Sequence, residues 1–211
     1  ANTDGIAVRY DNAIQVQVDE QVSQFSELSK FVFEFTPYRV LAMKDVNNYI
    51  AVKTDRSLKV KGIYSQLSLR KNPTAQVSSD AVGAWLANGT EIGETIYHSP
   101  FANFISARNV TGGGKQEGKY LGKVVRWYQS TESIEPIRYY TNDNKVPKSD
   151  GARACMIVED FKTHPHDLDY NWYLKEAIKI VVAVGGVKYL TADQLALVAP
   201  QPKRRKKNDG K

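Results

Sequence analysis

The sequence predicts an α+β fold in which antiparallel strands and helices follow one another along the chain. Short runs alternate apolar and polar residues between turn residues, as in β-hairpins, while longer stretches repeat apolar residues at helical spacing. The 211 residues are 42% apolar and 25% charged, which is typical of a globular protein with a sizeable core. We expect a sheet-containing unit over residues 1–71, a mixed α/β unit over residues 72–198 and a disordered basic tail over residues 199–211.

The first unit is predicted to begin with two strands and a helix. Residues 5–10 and 14–18 alternate apolar and polar side chains, and an Asp-Asn pair between them is a common turn sequence. Asp19 is expected to cap an amphipathic helix that runs to about residue 34 and ends before Pro37. Its apolar residues recur three or four positions apart: Val22, Phe25, Leu28, Val32 and Phe35.

A hairpin and a further strand are predicted over residues 38–62. A turn is expected near Asn47-Asn48 and a polar tip around Asp55–Ser57. In the last strand, apolar residues alternate with Lys59 and Lys61, which places both ammonium groups on one face about 7 Å apart. That spacing suits successive phosphates of a nucleic-acid strand.

The residues around these two lysines strengthen the basic character of the segment. Gly62 would allow a partner's backbone to approach closely, and Arg70 and Lys71 add positive charge. The alternative interpretation is an exposed strand face whose lysines keep a sheet edge soluble. A second basic segment lies over residues 108–126, whereas residues 1–52 are net acidic, so the charge pattern indicates a polyanion site beside a cation site.

The second unit is predicted to contain three helices and four strands. A helix beginning at Ser78 or Ser79 should close at Asn88-Gly89, and a short helix should follow over residues 91–98. The final helix should begin after Asp169 and end at a Gly-Gly pair. The strands are expected in the alternating runs FISARNV, GKVVRWYQS, IRYYTN and ARACMIVE.

Two groups of residues in this unit are candidate chemical sites. Gly113, Gly118 and Lys119 have the spacing of a Walker A loop, but Tyr120 stands where a Ser or Thr must bind Mg²⁺. We therefore expect a flexible glycine loop between strands, whose lysines can touch phosphates. The "HPHDLD" run and the single Cys155 lack the paired spacing of a zinc site, so we expect a loop leading into the Asp169 cap.

The start of the sequence resembles a motif of family B DNA polymerases. "NTDGI" followed by a predicted strand is similar to motif C, a hairpin turn reading Asp-Thr-Asp-Ser or Asp-Thr-Asp-Gly. The second Asp of that motif binds the catalytic metals, so the resemblance implies this role for Asp4. Thr3 and Gly5 would shape the turn, together with Asn2, which stands where the family has its first Asp.

Later segments extend the resemblance. "NNYIAVKTDRSLKVKG" is similar to the palm hairpin and the Lys-x-Lys-Gly element of the family, which implies primer-template contacts for Lys59, Lys61 and Gly62. The stretches "GGGKQEGKYLGKVVRWY" and "NKVPKSDGARACM" resemble C-terminal regions of phage-type members. Residues 1–71 would then belong to the palm and residues 72–198 to a thumb. The cations expected to grip duplex DNA there are Lys115, Lys119, Lys123 and Arg126.

The resemblance covers only part of such an enzyme. Neither motif A, the fingers helix nor the exonuclease motifs of the family are recognisable in the sequence. Two-metal nucleotidyl transfer needs at least two carboxylates to hold ions about 3.5–4 Å apart. The resemblance therefore implies a C-terminal fragment, inactive alone, whose Mg²⁺ site is completed by an N-terminal fragment carrying motif A and fingers, with primer-template DNA and dNTP as the other partners.

Two alternatives remain open from the sequence. The chain could be a non-catalytic DNA-binding module derived from a polymerase thumb, or a structural protein whose "PKRRKK" tail binds nucleic acid nonspecifically. Cys155 has no partner for an internal disulfide, and no apolar run approaches the roughly 20 residues of a membrane span. We expect an intracellular protein without membrane contact, in the host cytoplasm if a phage encodes it.

Overall fold

The structure is a computed structural model that describes residues 6–65, 73–132, 135–155 and 163–199. The described part is an α+β fold with two antiparallel sheets and five α-helices, which confirms the predicted fold class. The first sheet has the strand order β1-β2-β3 and the second has the order β6-β4-β5-β7. Of the predicted basic tail, residues 200–211 lie outside the described residues.

The two strands predicted before residue 19 are wrong. Residues 6–11 form no regular element, and a 3-10 turn over Asn12–Ile14 leads into helix α1, Gln15–Ser29. The Asp11 carboxylate accepts a hydrogen bond from the backbone N–H of Ala13 at 2.9 Å, so this residue starts the helical segment. The valines that alternate here also continue the helical spacing toward the N-terminus, and the helical period is the one the chain adopts.

Helix α1 also ends earlier than the sequence predicts. Lys30 adopts a left-handed backbone, with φ of 61°, and its N–H bonds to the carbonyl of Ser26. The hydroxyl of Ser29 donates to the Phe25 carbonyl at 2.6 Å, and that of Ser26 donates to the Phe31 carbonyl at 2.5 Å. These local serine bonds stabilise a helix end at this point, so the last apolar residues of the predicted stripe lie beyond the helix.

The predicted hairpin is confirmed in the first sheet. Strands β1 (Tyr38–Asp45), β2 (Asn48–Lys53) and β3 (Leu58–Lys61) pair antiparallel in that order. The Asp45 carboxylate accepts from the backbone N–H of Asn47 at 2.9 Å, and the Asp55 carboxylate accepts from that of Ser57 at 2.8 Å. Each of the two turns is therefore closed by an aspartate side chain, as turn chemistry favours.

One face of this sheet packs on a helical layer. Helices α2 (Gln76–Asn88), α3 (Ile92–His98) and α4 (Tyr170–Ala183) bury their apolar faces against one another and against the inward residues of β2 and β3. Tyr173 of α4 is fully buried among them, where its hydroxyl donates to the Phe104 carbonyl and accepts from the Gln129 N–H. This core links the first sheet to the rest of the chain.

Helix α2 begins before the predicted serine caps. Its N-cap is Ala75, with φ of 46°, while Ser78 and Ser79 lie inside the first turns. The Ser78 hydroxyl donates to the Tyr173 carbonyl at 2.9 Å, and the Ser79 hydroxyl donates to the Gln76 carbonyl at 3.0 Å. Both hydroxyls therefore make bonds other than a cap. The predicted end of α2 at Gly89, with φ of 76°, is confirmed.

The second sheet is built on a long hairpin. Strands β4 (Ser106–Gln116) and β5 (Lys119–Gln129) pair along most of their length, and short β6 (Arg138–Tyr139) and β7 (Ala152–Ala154) flank them. The expected flexible glycine loop is wrong, because the glycines lie in β4 and only Glu117-Gly118 forms the turn. The last predicted strand is seen only as β7, because residues 156–162 lie outside the described residues.

A smaller second core lies beneath this hairpin. It is lined by residues of β4, β5, β7 and the segment between β5 and β7: Val110, Val125, Trp127, Ile137, Val146 and Ala152. At the other end of the unit, Asp169 caps α4 by accepting from the Trp172 N–H at 3.0 Å, as predicted. The sequence did not predict the final helix α5, Ala192–Val198, which begins with a Thr191/Gln194 capping box.

Candidate nucleic-acid interface

The turn that resembles motif C falls outside the described part of the chain. Asn2, Thr3, Asp4 and Gly5 precede residue 6, where the description starts. Their predicted metal-binding and turn-shaping roles therefore stay predictions. The same holds for Arg70 and Lys71, which lie within residues 66–72.

Lys59 and Lys61 lie on the outer edge strand of the first sheet. Both are exposed residues of β3, where Lys59 pairs with Ala51 and Lys61 with Tyr49 of β2. Because they are two residues apart in a strand, their side chains leave the same face. The expected juxtaposition of two ammonium groups is therefore present on the face opposite the helical core.

Tyr38 modifies the environment of Lys59. The Lys59 Nζ atom lies 5.9 Å from the centroid of the Tyr38 ring, at the reach of a cation–π contact. A hydrogen bond with the Tyr38 side chain is the main reason that the pKa of Lys59 is raised above its ordinary value. Lys59 is therefore fully charged at neutral pH and is oriented by an aromatic ring beside it.

Gly62 is required by the chain's own turn. Its φ is +70°, and a Cβ atom there would lie 2.2 Å from both the Asn47 carbonyl and the Asn48 side-chain oxygen. The Asn48 Oδ1 atom also accepts from the Ile63 N–H at 2.8 Å. The first turn of the sheet thus occupies the space beside Gly62 and fixes the end of β3 next to Lys61. The predicted contact of Gly62 with a nucleic acid stays a prediction.

The four cations predicted for the second unit all lie on the β4–β5 hairpin, but in different settings. Lys119 and Lys123 are exposed on β5. The Lys115 Nζ atom forms an ion pair with Asp143 at 3.0 Å. Arg126 is half-buried at the base of the hairpin, and among the described residues its Nε atom has no hydrogen-bond partner. The outer half of the hairpin therefore presents its most accessible charge at the two exposed lysines.

An exposed aromatic pair on this hairpin was missed by the sequence analysis. The rings of Tyr120 and Tyr140 lie 5.0 Å apart at an interplanar angle of 72° and are 49% and 56% exposed. A Cβ atom on Gly113 would lie 2.3 Å from the Tyr120 ring. A glycine run can accommodate a ring over its bare backbone, but which ring faces it depends on the strand register.

The histidine-containing segment forms the expected loop. Asp167 is buried there and accepts hydrogen bonds from the Tyr128 hydroxyl at 2.9 Å and from the Ser130 hydroxyl, while the Arg153 Nε atom lies 2.7 Å away. Burial tends to raise the pKa of Asp167, but these hydrogen bonds and the nearby guanidinium outweigh it and lower the pKa overall. Asp167 is therefore a charged anchor between β5, β7 and the loop before α4.

The remaining chemistry-bearing groups of this region serve packing. His164 lies between the Tyr170 hydroxyl and the Ser99 carbonyl, the latter at 2.8 Å from its Nε2 atom. Burial raises the pKa of the Cys155 thiol to about 12, which keeps it protonated at neutral pH. Within the described ranges, no three His, Cys, Asp or Glu residues meet in a group that could hold a metal ion.

Apolar residues of the segment over residues 6–35 are uncovered. Helix α1 has no buried residue, and in the described part of the chain its main contacts are with the 3-10 turn before it. Leu28 is 85% exposed and Val32 is 97% exposed. The other exposed apolar residues of this segment are Ile6, Val8, Ile14, Val16, Phe25, Phe31, Phe33 and Phe35. Exposed apolar residues in a run of this length are typical of an interaction surface.

Comparison with known proteins adds no relative. The chain matches no protein-family model, and no curated protein is significantly similar to it. Among the helices in the described ranges, none is both long and apolar enough to cross a bilayer.

Proposed function

We propose that this chain is the palm-and-thumb portion of a family B DNA polymerase that works only when assembled with another segment carrying motif A and the fingers. The observation that carries the proposal is the uncovered apolar surface of residues 6–35, which directly follows the Asp4 turn. A polymerase palm must bring a second metal-binding carboxylate next to the motif C aspartate. A partner segment docked on this surface would stand beside Asp4.

The partner would have to be apolar at the contact and basic around it. Residues 10–29 contain acidic side chains but no lysine or arginine, so helix α1 presents apolar residues beside negative charge. The acidic residues are Asp11, Asp19, Glu20 and Glu27. Complementary charge on the partner would steer the encounter and fix the orientation of docking. The partner could be a separate polypeptide or another part of a longer chain.

The basic strand β3 supports the DNA-binding half of the proposal. Lys59 and Lys61 are exposed and project from the face opposite the helical core, where a phosphate backbone would meet both ammonium groups. Lysine–phosphate contacts position DNA without reading its sequence, which is what a replicative enzyme requires. Lys119 and Lys123 on the β4–β5 hairpin would add positive charge for DNA on the thumb side.

The catalytic step would take place at the junction with the partner. Asp4 and at least one partner carboxylate would hold Mg²⁺, which supplies charge stabilisation for nucleotidyl transfer from a dNTP to the primer end. This chain's own contribution would be to position Asp4 through its turn and to hold the primer-template duplex through Lys59 and Lys61.

Primer extension with the assembled protein tests the proposal. The full chain, combined with a polypeptide carrying motif A and the fingers helix, should extend a labelled primer only when Mg²⁺ is present. Asp4→Ala should abolish extension, whereas Asp193→Ala, which removes a carboxylate from the first turn of α5, should leave it unchanged. Extension by Asp4→Ala at the wild-type rate would show that the motif C assignment is wrong.

The same materials separate the enzyme from the non-catalytic alternative. A DNA-binding module would bind duplex through Lys59 and Lys61 but would form no stable complex with the motif A polypeptide. Size-exclusion chromatography of the mixture, run beside a duplex-binding titration, distinguishes the two. Duplex binding without complex formation would favour the module.

A further inference from the structure

Tyr120 and Tyr140 form an exposed aromatic surface, hereafter the tyrosine platform, over the backbone of Gly113. Tyr120 comes from β5, and Tyr140 follows β6, the strands that flank Gly113 on its two sides. The backbone N–H of Tyr140 donates to the Gly113 carbonyl at 2.8 Å. Three neighbouring chain segments therefore fix the positions of the two rings.

The glycine run makes room for this arrangement. Gly113 has φ of +90°, and its neighbour Gly112 has φ of +77°, conformations that side-chain-bearing residues rarely adopt. A Cβ on Gly112 would meet the Thr141 side chain at 2.4 Å, just as one on Gly113 would meet Tyr120. The pairing of β4 with β5 also shifts register in this stretch. Backbone conformation, strand register and side-chain position are thus all adapted to seat these rings.

Packing alone does not account for the platform, because about half of each ring faces solvent. In this pair Tyr120 is 49% exposed and Tyr140 is 56% exposed, and the rings contact each other nearly at right angles. Rigid, half-exposed aromatic rings bind planar ligands at a small cost in conformational entropy. The platform therefore has the properties of a stacking surface as well as those of a cover for the backbone.

The charges around the platform select an anionic ligand. Lys119 directly precedes Tyr120 and leaves the opposite face of β5, because it pairs in register with Gln116 while Tyr120 pairs with Lys115. The one-residue register shift between Tyr120 and Gly122 returns Lys123, which is exposed and about 10 Å beyond Tyr120, to the face of the ring. The Asp143 carboxylate, three residues after Tyr140, pairs with Lys115 at 3.0 Å, and the Asp143 backbone carbonyl accepts from Arg138 at 2.9 Å. The stretch over residues 108–126 has five basic residues and a single acidic one, Glu117 at the hairpin turn.

We propose that the tyrosine platform binds single-stranded nucleic acid, with an unpaired base stacked on Tyr120 or Tyr140 and an adjoining phosphate held by Lys123. Base stacking on aromatic rings combined with lysine–phosphate contacts is how proteins bind single strands without sequence preference. Paired bases in a duplex are already stacked and cannot use the rings. The inference rests on the proposed function in taking the ligand to be DNA. It makes the ligand of the β4–β5 hairpin an unpaired strand and not the product duplex.

A single-strand binding titration tests the proposal. The probe is a fluorescein-labelled oligothymidylate of about 12 nucleotides, a length within the usual site sizes. Tyr140→Ala should weaken binding about tenfold, and Tyr120→Leu, which still covers Gly113, should weaken it similarly. Tyr120→Phe and Tyr140→Phe should bind like wild type, since the ring and not the hydroxyl carries the contact. Tyr97→Ala removes an exposed ring of α3 and serves as the matched control.

Two further readouts separate stacking from damage to the hairpin and from failure of the proposed function. The fluorescence of an oligonucleotide containing 2-aminopurine should be quenched by wild type but not by Tyr140→Ala. The circular dichroism spectrum of Tyr140→Ala should match that of wild type. A labelled duplex should bind through Lys59 and Lys61 and be insensitive to Tyr140→Ala. If wild type binds duplex, and Tyr140→Ala and Tyr120→Leu bind the single strand as tightly as wild type does, this inference alone is overturned. If wild type binds neither the single strand nor the duplex, the proposed function is overturned as well.

Discussion

Lys59 reaches toward the ring of Tyr38 on the exposed face of the first sheet, and this contact distinguishes it from an ordinary surface lysine. The ring restricts where the ammonium group can lie, and the hydrogen bond with Tyr38 raises its pKa. A phosphate on this face would meet a charge that is already oriented, so less side-chain entropy is lost on binding. Lys61, two residues further along β3, supplies the second contact.

Replacing either lysine should weaken duplex binding without changing its sequence preference. We expect Lys59→Ala and Lys61→Ala each to lower affinity about threefold to tenfold and to reduce the slope of log affinity against log salt by about one. Lys175→Ala, which removes an exposed lysine from α4, is the matched control. Fluorescence anisotropy over a salt series makes the measurement, and an unchanged slope in both variants would contradict a phosphate contact.

Asp167 illustrates how a buried carboxylate stabilises the second unit. It is 2% exposed and receives hydrogen bonds from Tyr128 and Ser130, with Arg153 beside it. Asp167→Asn should lower the free energy of unfolding by about 2 kcal/mol at pH 7, chiefly through the lost charge-assisted hydrogen bonds, because the half-exposed Arg153 is screened by solvent. Asp150→Asn, in an exposed pair with Lys145, should change stability little.

The pH dependence of this effect has a definite sign. The folded-state pKa of Asp167 lies below its ordinary value of 3.8, so its contribution is complete above that value and is lost as pH falls through the lowered pKa. The stability difference between wild type and Asp167→Asn should therefore be largest near neutral pH and shrink in acid. Urea denaturation of both proteins at pH 7 and at about pH 3 measures this stability difference. A difference that grows in acid would contradict a lowered pKa for Asp167.

At the scale of elements, the β4–β5 hairpin offers an internal comparison between two glycines. Gly113 and Gly118 have φ of +90° and +75°, but a Cβ would strike the Tyr120 ring at Gly113 and meet nothing within 4 Å at Gly118. Gly118→Ala should cost only the backbone strain of about 1–2 kcal/mol. Gly113→Ala should cost more, because the Tyr120 ring has to move as well.

A double-variant cycle isolates the ring's contribution to that cost. Adding Tyr120→Ala should recover part of the stability lost by Gly113→Ala and none of that lost by Gly118→Ala. Thermal unfolding of wild type, the two glycine variants, Tyr120→Ala and the two double variants makes the comparison. Equal losses in the two single glycine variants would show that Tyr120 does not rest on Gly113 in solution.

Local patterns predicted the elements well where a single period and a clear turn signal coincided. The β1–β2–β3 hairpins, the C-terminus of α2 and the Asp169 cap of α4 follow from alternation, turn aspartates, a C-terminal glycine and an N-cap carboxylate. The prediction failed over residues 5–18, because a few alternating valines fit both the two-residue period of a strand and the 3.6-residue period of a helix. It also failed at the glycine run, which composition makes resemble a loop although antiparallel pairing holds it in a strand.

Among the candidate sites, those set by local spacing were predictable and those set by tertiary contacts were not. A two-residue spacing is enough to place Lys59 and Lys61 on one face, so this pair was predictable from the sequence. Tyr120 and Tyr140 meet through the pairing of three segments, and their contact depends on register and on the backbone of Gly113. Such a contact is non-local, and neither ring's neighbours in sequence reveal it. The α1 surface was predicted as amphipathic, but only the fold shows that its apolar residues lie uncovered.

For the whole molecule, the distribution of apolar surface is uneven. The helices α2, α3 and α4 and the inward face of the first sheet share one core, and the β4–β5 hairpin has its own. The segment over residues 6–35 joins neither core and carries several exposed phenylalanines. In water this exposure is unfavourable, at about 25 cal/mol for each square ångström left uncovered. Burial against a partner would recover that free energy and would order α1 next to the predicted motif C turn.

Charged substitutions on this segment should therefore separate folding from assembly. Leu28→Lys and Val32→Lys remove two of its most exposed apolar side chains, which make few contacts within the described chain, so the melting temperature of the chain alone should stay within a degree or two of wild type. Both variants should lose complex formation with the motif A polypeptide, and with it Mg²⁺-dependent extension. Leu197→Lys, at a half-exposed position of α5, should assemble normally. If Leu28→Lys instead unfolded the isolated chain, its surface would be packed internally, and the argument for an assembled palm would lose its main support.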